Sequence, residues 1–143
     1  MPIAQSRFDY CAPGPGRSRI PQARDVSSRE HEMPHCIIEH STDFDSDQLV
    51  SEVFKAALHS GLFGPDGNDI KVRARSFSSY LTGPRKSAFI HVALKILSGR
   101  TPEQRSHLSS TVVAQLRALG FSNTSITAEV VEMERGSYGK VIV

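Results

Sequence analysis

Ala88-Phe89-Ile90-His91-Val92-Ala93-Leu94-Lys95-Ile96, continuing through Leu97-Ser98-Gly99-Arg100 into Thr101-Pro102-Glu103-Gln104, decides the fold of this chain. Ala88, Ile90, Val92, Leu94 and Ile96 alternate with Phe89, His91 and Lys95, which is the period of two that a strand shows when one of its faces is buried. Thr101 then supplies an N-cap, Pro102 the first helical position and Gln104 the third-residue partner of a capping box. Leu108, Val112, Val113, Leu116 and Leu119 recur at helical spacing and predict a helix with one apolar stripe, which Gly120 ends. Ile126, Ala128 and Val130 resume the alternation, so this half of the chain reads strand, helix, strand.

The residues before it follow the same order. His35-Cys36-Ile37-Ile38-Glu39-His40 is a short strand-like run, and Thr42-Asp43-Phe44-Asp45 turns the chain. Asp45 can cap a helix with Gln48 three residues on, and Phe44 can staple onto Leu49. Leu49, Val50, Val53, Phe54, Ala57 and Leu58 share one helical face, and Gly61 supplies the left-handed stop. After the turn-rich Gly64-Pro65-Asp66-Gly67-Asn68, the apolar Ile70, Val72 and Ala74 alternate with Lys71, Arg73 and Arg75, placing the three bases on one face. Thr82-Gly83-Pro84-Arg85 turns the chain into the second half. The two caps, at 45 and 101, stand about 56 residues apart. The expected architecture is α/β: β-α-β repeated twice, a four-stranded sheet with both helices on one face through right-handed crossovers. The other sheet face is expected to carry apolar residues and to be covered by further copies of the chain, so the fold implies an oligomer.

At 143 residues there is room for one domain with a real core. Lys and Arg number 17 against 15 Asp and Glu, a net charge of +2 that gives no concentrated field for nucleic acid. Cys11 and Cys36 are too few for a disulfide framework and fit a reducing compartment. No apolar run approaches the roughly 18 residues of a membrane span, and no secretory signal opens the chain, so a cytoplasmic protein is expected. Pro2, Pro13, Pro15 and Pro21, two glycines and five Arg mixed with acids mark residues 1–33 as a disordered extension or an over-extended start, with Met33 as the initiator-like residue. The domain proper is expected over 34–143.

The chemistry centres on Met33-Pro34 at the onset of the first strand. An initiator Met is removable before a small residue, which would leave Pro34 with a free secondary amine. A terminal amine has a pKa of about 8, and an apolar pocket with cations nearby lowers it toward the working pH of a general base. His31-Glu32-Met33-Pro34-His35 matches the H-E-x-x-H pattern of zinc proteases, but that site needs a continuous helix and Pro34 forbids one, so no metal is expected. His91 is read as a structural residue of its strand, Cys36 as a small core residue, and Tyr138 as a residue packing on a neighbouring subunit.

Met33-Pro34-His35-Cys36-Ile37-Ile38-Glu39, Ile70-Lys71-Val72-Arg73, the run from Ala88 to Ile96 and Ser98-Gly99-Arg100 together resemble the 5-carboxymethyl-2-hydroxymuconate isomerases of the tautomerase superfamily, over roughly 34–133. The resemblance implies a homotrimer without cofactor that moves a proton within an unsaturated 2-hydroxy or 2-oxo dicarboxylate. It implies Pro34 as the base, and Lys71, Arg73 and Arg100 as the residues that hold carboxylates and the developing enolate oxygen. Where the family commonly has Arg, this chain has Lys71, which lacks the planar fork, and Arg73 or Arg75 could serve instead. Decarboxylation or hydration by the same proline, or a non-catalytic oligomeric binding protein if the extension is retained, are the alternatives.

Overall fold

The computed structural model describes residues 33–143; the expectation for the extension lies, except at Met33, outside them. The elements are β1 (His35–Ser41), α1 (Ser46–His59), β2 (Lys71–Phe77), β3 (Ala88–Leu97), α2 (Pro102–Arg117) and β4 (Thr124–Met133), followed by one 3-10 turn at Arg135–Ser137. The sheet order is β2-β1-β3-β4. Each β-α-β half gives a parallel pair, and the halves join through antiparallel β1 and β3.

The local signals act as their chemistry requires. At α2 the backbone N–H of Gln104 donates to Thr101 Oγ1 at 3.1 Å and Gln104 Oε1 accepts from the Thr101 N–H at 2.9 Å. At α1, Asp45 caps through the Asp47 N–H at 3.0 Å, but the Gln48 side chain does not complete the expected capping box. Phe44 places its ring on Phe121, centroids 4.7 Å apart, which ties the entry of α1 to the loop after α2. Gly61 and Gly120 both hold positive φ just past their helices, a conformation that a side chain would strain.

Cys36 and Ile38 of β1, the alternate residues Ile90 to Ile96 of β3, Leu49, Val53, Ala56 and Ala57 of α1, and Leu108, Val112 and Leu116 of α2 form one buried core between sheet and helices. His40 is buried among them with both ring nitrogens satisfied. Its Nδ1 donates to the Ser41 carbonyl at 2.6 Å, which leaves Nε2 to accept from the Ser46 hydroxyl at 2.8 Å.

The opposite sheet face differs from expectation. Register and alternation put Lys71, His35, Lys95 and Val131 in one row across it, Arg73, Ile37, Ala93 and Glu129 in the next, and Arg75, Glu39, His91 and Thr127 in a third. The face is mixed rather than apolar, because the alternation that identifies the strands has already sent their large aliphatic residues to the helix side. Among the described residues no helix is long and apolar enough to cross a membrane.

Candidate active site

Because β1 runs antiparallel to β3 and β3 parallel to β4, the start of β1 and the ends of β3 and β4 lie at one edge of the sheet. Pro34 sits there immediately before β1, its side chain fully buried. Its carbonyl accepts from the Lys71 N–H at 3.1 Å, so the backbone at Pro34 is already fixed by pairing with β2. A cleft at this edge is lined by Met33, Pro34, Phe63, Ile96, Leu97, Arg100 and Arg135. Among the described residues its walls are apolar and the charged residues lining it are the two arginines.

Arg100 reaches the cleft from the turn between β3 and α2. Its guanidinium donates to the Leu62 carbonyl and lies over the Phe63 ring, 5.9 Å from the centroid, so it is half-buried rather than a solvated loop charge. Arg135 comes from the 3-10 turn after β4, and its Nε donates to the Ser98 carbonyl at 2.6 Å.

Lys71 and Arg73 do not line this cleft. They project from β2 onto the open face of the sheet beside His35, Lys71 by register and Arg73 by a 3.3 Å contact of Nη1 with His35 Nδ1. An arginine can only donate, so Nδ1 accepts and the neutral ring carries its proton on Nε2, where it donates to the Tyr138 hydroxyl at 2.8 Å. Tyr138 thus has a hydrogen-bond partner within its own chain. Burial lowers the His35 pKa below its ordinary 6.5, and the charges of Arg73, Lys71 and Lys95 act the same way. His91 is hydrogen-bonded to Thr127 at 2.7 Å and to Glu129 at 3.2 Å within the sheet. Burial pushes the Cys36 thiol up to about 12, which makes it an inert core residue. The half of the H-E-x-x-H pattern within the described residues is extended chain leading into β1.

The geometry therefore places Pro34 and Arg100 in one cleft, leaves the side chains of Lys71 and Arg73 on the open face of the sheet, and adds Phe63 and Arg135. No local motif marks Arg135. The signal available was topological: β4 parallel to β3 delivers whatever follows β4 to the Pro34 edge. A larger groove of ≈ 600 Å³ beside α2, lined by small residues, Val113 and Arg117, shares no lining residue with the cleft.

A family model described as 5-carboxymethyl-2-hydroxymuconate isomerase matches residues 34–132, from the buried proline almost to the end of β4. The chain belongs to this family. Its fold is that of a solved 5-carboxymethyl-2-hydroxymuconate delta-isomerase, with a TM-score of 0.66 at 16% identity over 79% of this chain and 90% of that one. A 5-carboxymethyl-2-hydroxymuconate isomerase from Deinococcus radiodurans R1 superposes with a TM-score of 0.64 at 21% identity, covering 78% of this chain and 90% of the other. A fused 4-OT wild-type symmetric trimer gives 0.63 at 13% identity, covering 74% and 90%. No curated protein matches the sequence. At these identities the structures establish the tautomerase fold, while the family match over most of the chain makes this a tautomerase-superfamily isomerase by descent.

Proposed function

We propose that the chain, once it begins at Pro34, is a cofactor-independent isomerase that moves a proton within an unsaturated 2-hydroxy or 2-oxo dicarboxylate. The observation that carries this reading is the meeting of Pro34 and Arg100 in one apolar cleft. A free Pro34 amine there is desolvated by Phe63, Ile96 and Leu97 and faces two guanidiniums, both of which disfavour its protonated form and make it a base near neutral pH. It takes the proton from the 2-hydroxyl of a dienol, the negative charge spreads along the conjugated chain, and the same nitrogen returns the proton to the distal carbon. The product is an α,β-unsaturated ketone with no net oxidation, so the step draws on no redox partner. Arg100 binds the anionic end and stabilises the dienolate as charge shifts toward it.

Met33 supports the requirement for a Pro34 terminus twice over. While it is attached, the Pro34 nitrogen is a tertiary amide without a basic lone pair. Its own side chain, 3% exposed, also forms a wall of the cleft, where the remaining free space is ≈ 10 Å³. That holds about one water, whereas small-molecule pockets run to roughly 300 Å³ or more. Among the described residues all the strands and helices lie within 35–143, so the shortened chain keeps the core that they form.

The test compares the 143-residue chain with one beginning at Pro34, both verified by intact mass, on 2-hydroxymuconate. Turnover by the Pro34 form alone is expected. Equal turnover by both would remove the free amine as the base, and activity by neither would favour a non-catalytic binding protein.

A further inference from the structure

We infer that the Met33–Pro34 bond is cut while the chain is still unfolded, and that a chain which folds with Met33 in place stays closed, beyond the reach of any later peptidase. The tail-bearing chain is then not a precursor waiting to be trimmed, because the form of each molecule is fixed at its synthesis. The consequence, an open or a closed cleft, rests on the function proposed above, whereas the order of cutting and folding rests on the fold alone.

The bond lies inside the folded chain. Met33 is 3% exposed and the Pro34 side chain is fully buried, so a peptidase reaches neither residue that it must enclose. On the C-terminal side the Pro34 carbonyl accepts from the Lys71 N–H at 3.1 Å, and His35 already stands in register between Lys71 of β2 and Lys95 of β3. β1 is an inner strand of the sheet. Drawing its first residues into a peptidase therefore breaks two ladders at once and pulls Cys36 and Ile38 out of the core. Peptidases nick folded chains at exposed loop tips and loose ends, whereas the start of an inner strand opens in a larger unfolding event. On the N-terminal side Met33 shares the cleft with Phe63, Ile96 and Leu97, and the ≈ 10 Å³ left there gives its side chain no room to turn aside and present the amide. Before folding none of this holds. Both partners of β1 follow it in the chain, β2 from Lys71 and β3 from Ala88, so the bond stays accessible until they are made, a window of seconds at roughly 5–20 residues per second. The cut itself is a hydrolysis: one water supplies the hydroxyl that completes the Met33 carboxyl group and the hydrogen that makes Pro34 a secondary amine.

The test reads mass rather than turnover. A chain that starts at Met33 is made with aminopeptidases inhibited, purified folded, and treated with a methionine aminopeptidase chosen for removing Met from the free peptide 33–41. Loss of Met33 from the folded chain is expected to be about 100-fold or more slower than from the peptide, and the same enzyme present while the chain refolds from denaturant should release it. Lys71→Pro takes away the N–H that holds the Pro34 carbonyl, at the first residue of an edge strand, where proline is tolerated, and should speed the loss from the folded chain about tenfold. In the full 143-residue chain, peroxide oxidation of the Met33 thioether, located by peptide mapping, should run about tenfold or more slower in the folded than in the unfolded state. If Lys71→Pro does not fold, the wild-type rates and the oxidation decide alone. Loss of Met33 from the folded chain within about threefold of the peptide, or equal oxidation in the two states, overturns the inference. Because every readout is a mass, an excised chain that is inactive on 2-hydroxymuconate removes the catalytic reading and leaves this one standing, while ready excision from the folded chain does the reverse.

Discussion

His35 stands next to Pro34, and its neutral ring is what allows Arg73 on one side and Tyr138 on the other. Because burial and three nearby cations lower its pKa in the folded chain, the unfolded chain takes up a proton below about pH 6.5 that the folded one resists. Stability from this residue is therefore full above that pH and is lost as the pH falls through and below it. Denaturant midpoints for the Pro34-terminated chain, measured between about pH 8 and pH 5, should fall more steeply than those of His35→Gln; superimposable profiles would show that His35 is not the titrating group. Arg100 is the second residue whose replacement has a defined consequence. Arg100→Ala should lower kcat/KM on the order of 10²-fold, as removing one preorganised donor does, and Lys should restore only part. Because the guanidinium also satisfies the Leu62 carbonyl, the same change should cost about 1 kcal/mol of stability. Activity within threefold of wild type would remove Arg100 from the site.

At the scale of elements, the junction of β3 and α2 joins fold and chemistry in a few residues: the strand ends, Gly99 turns, Arg100 enters the cleft and Thr101 caps the helix. Thr101→Ala removes the acceptor for the Gln104 N–H and should cost about 1 kcal/mol, read as a melting temperature lower by roughly 4 °C or more. An unchanged melting temperature would mean that water replaces the cap without loss. This junction was legible in the sequence because alternation and capping are local signals, complete within a few residues. The same holds for both helices, for the double β-α-β and for the placing of the three bases of β2 on one face. Two things were not legible. The open face was expected to be apolar because an uncovered sheet invites that assumption, although the residues left after the buried alternation include the polar His35, Glu39, Arg73, His91 and Lys95 beside Ile37 and Ala93. Of the expected site residues, Pro34 and Arg100 line the cleft, while Lys71 and Arg73 stand on the open face of the same subunit. The membership of a cleft formed by four chain crossings depends on sheet order and register, which no single stretch of sequence carries.

The whole molecule raises the question of what covers the open face. The three rows across it place Glu39 between Arg75 and His91, and Ile37 beside Ala93, between Arg73 and Glu129, so the middle is apolar and the surround carries charges of both signs. A small apolar centre with a charged rim is the anatomy of an interface between folded subunits rather than of a domain core. Closed rotational symmetry is the usual way for identical chains to bury such a patch. We propose the homotrimer that the family resemblance implies, and the Pro34-terminated chain is expected to run as one in light scattering at micromolar concentration. Ala93→Glu tests this at the centre of the patch, where a new carboxylate would face Ile37 and stand beside Glu129 in the register. In an isolated subunit the position faces solvent, and the change should shift stability by no more than about 0.5 kcal/mol. In a trimer it buries like charges three times over and should dissociate the assembly, with the circular dichroism of each subunit retained. A wild type that scatters as a stable monomer, or an Ala93→Glu protein that stays trimeric, would show that this face is not the one by which the chains meet.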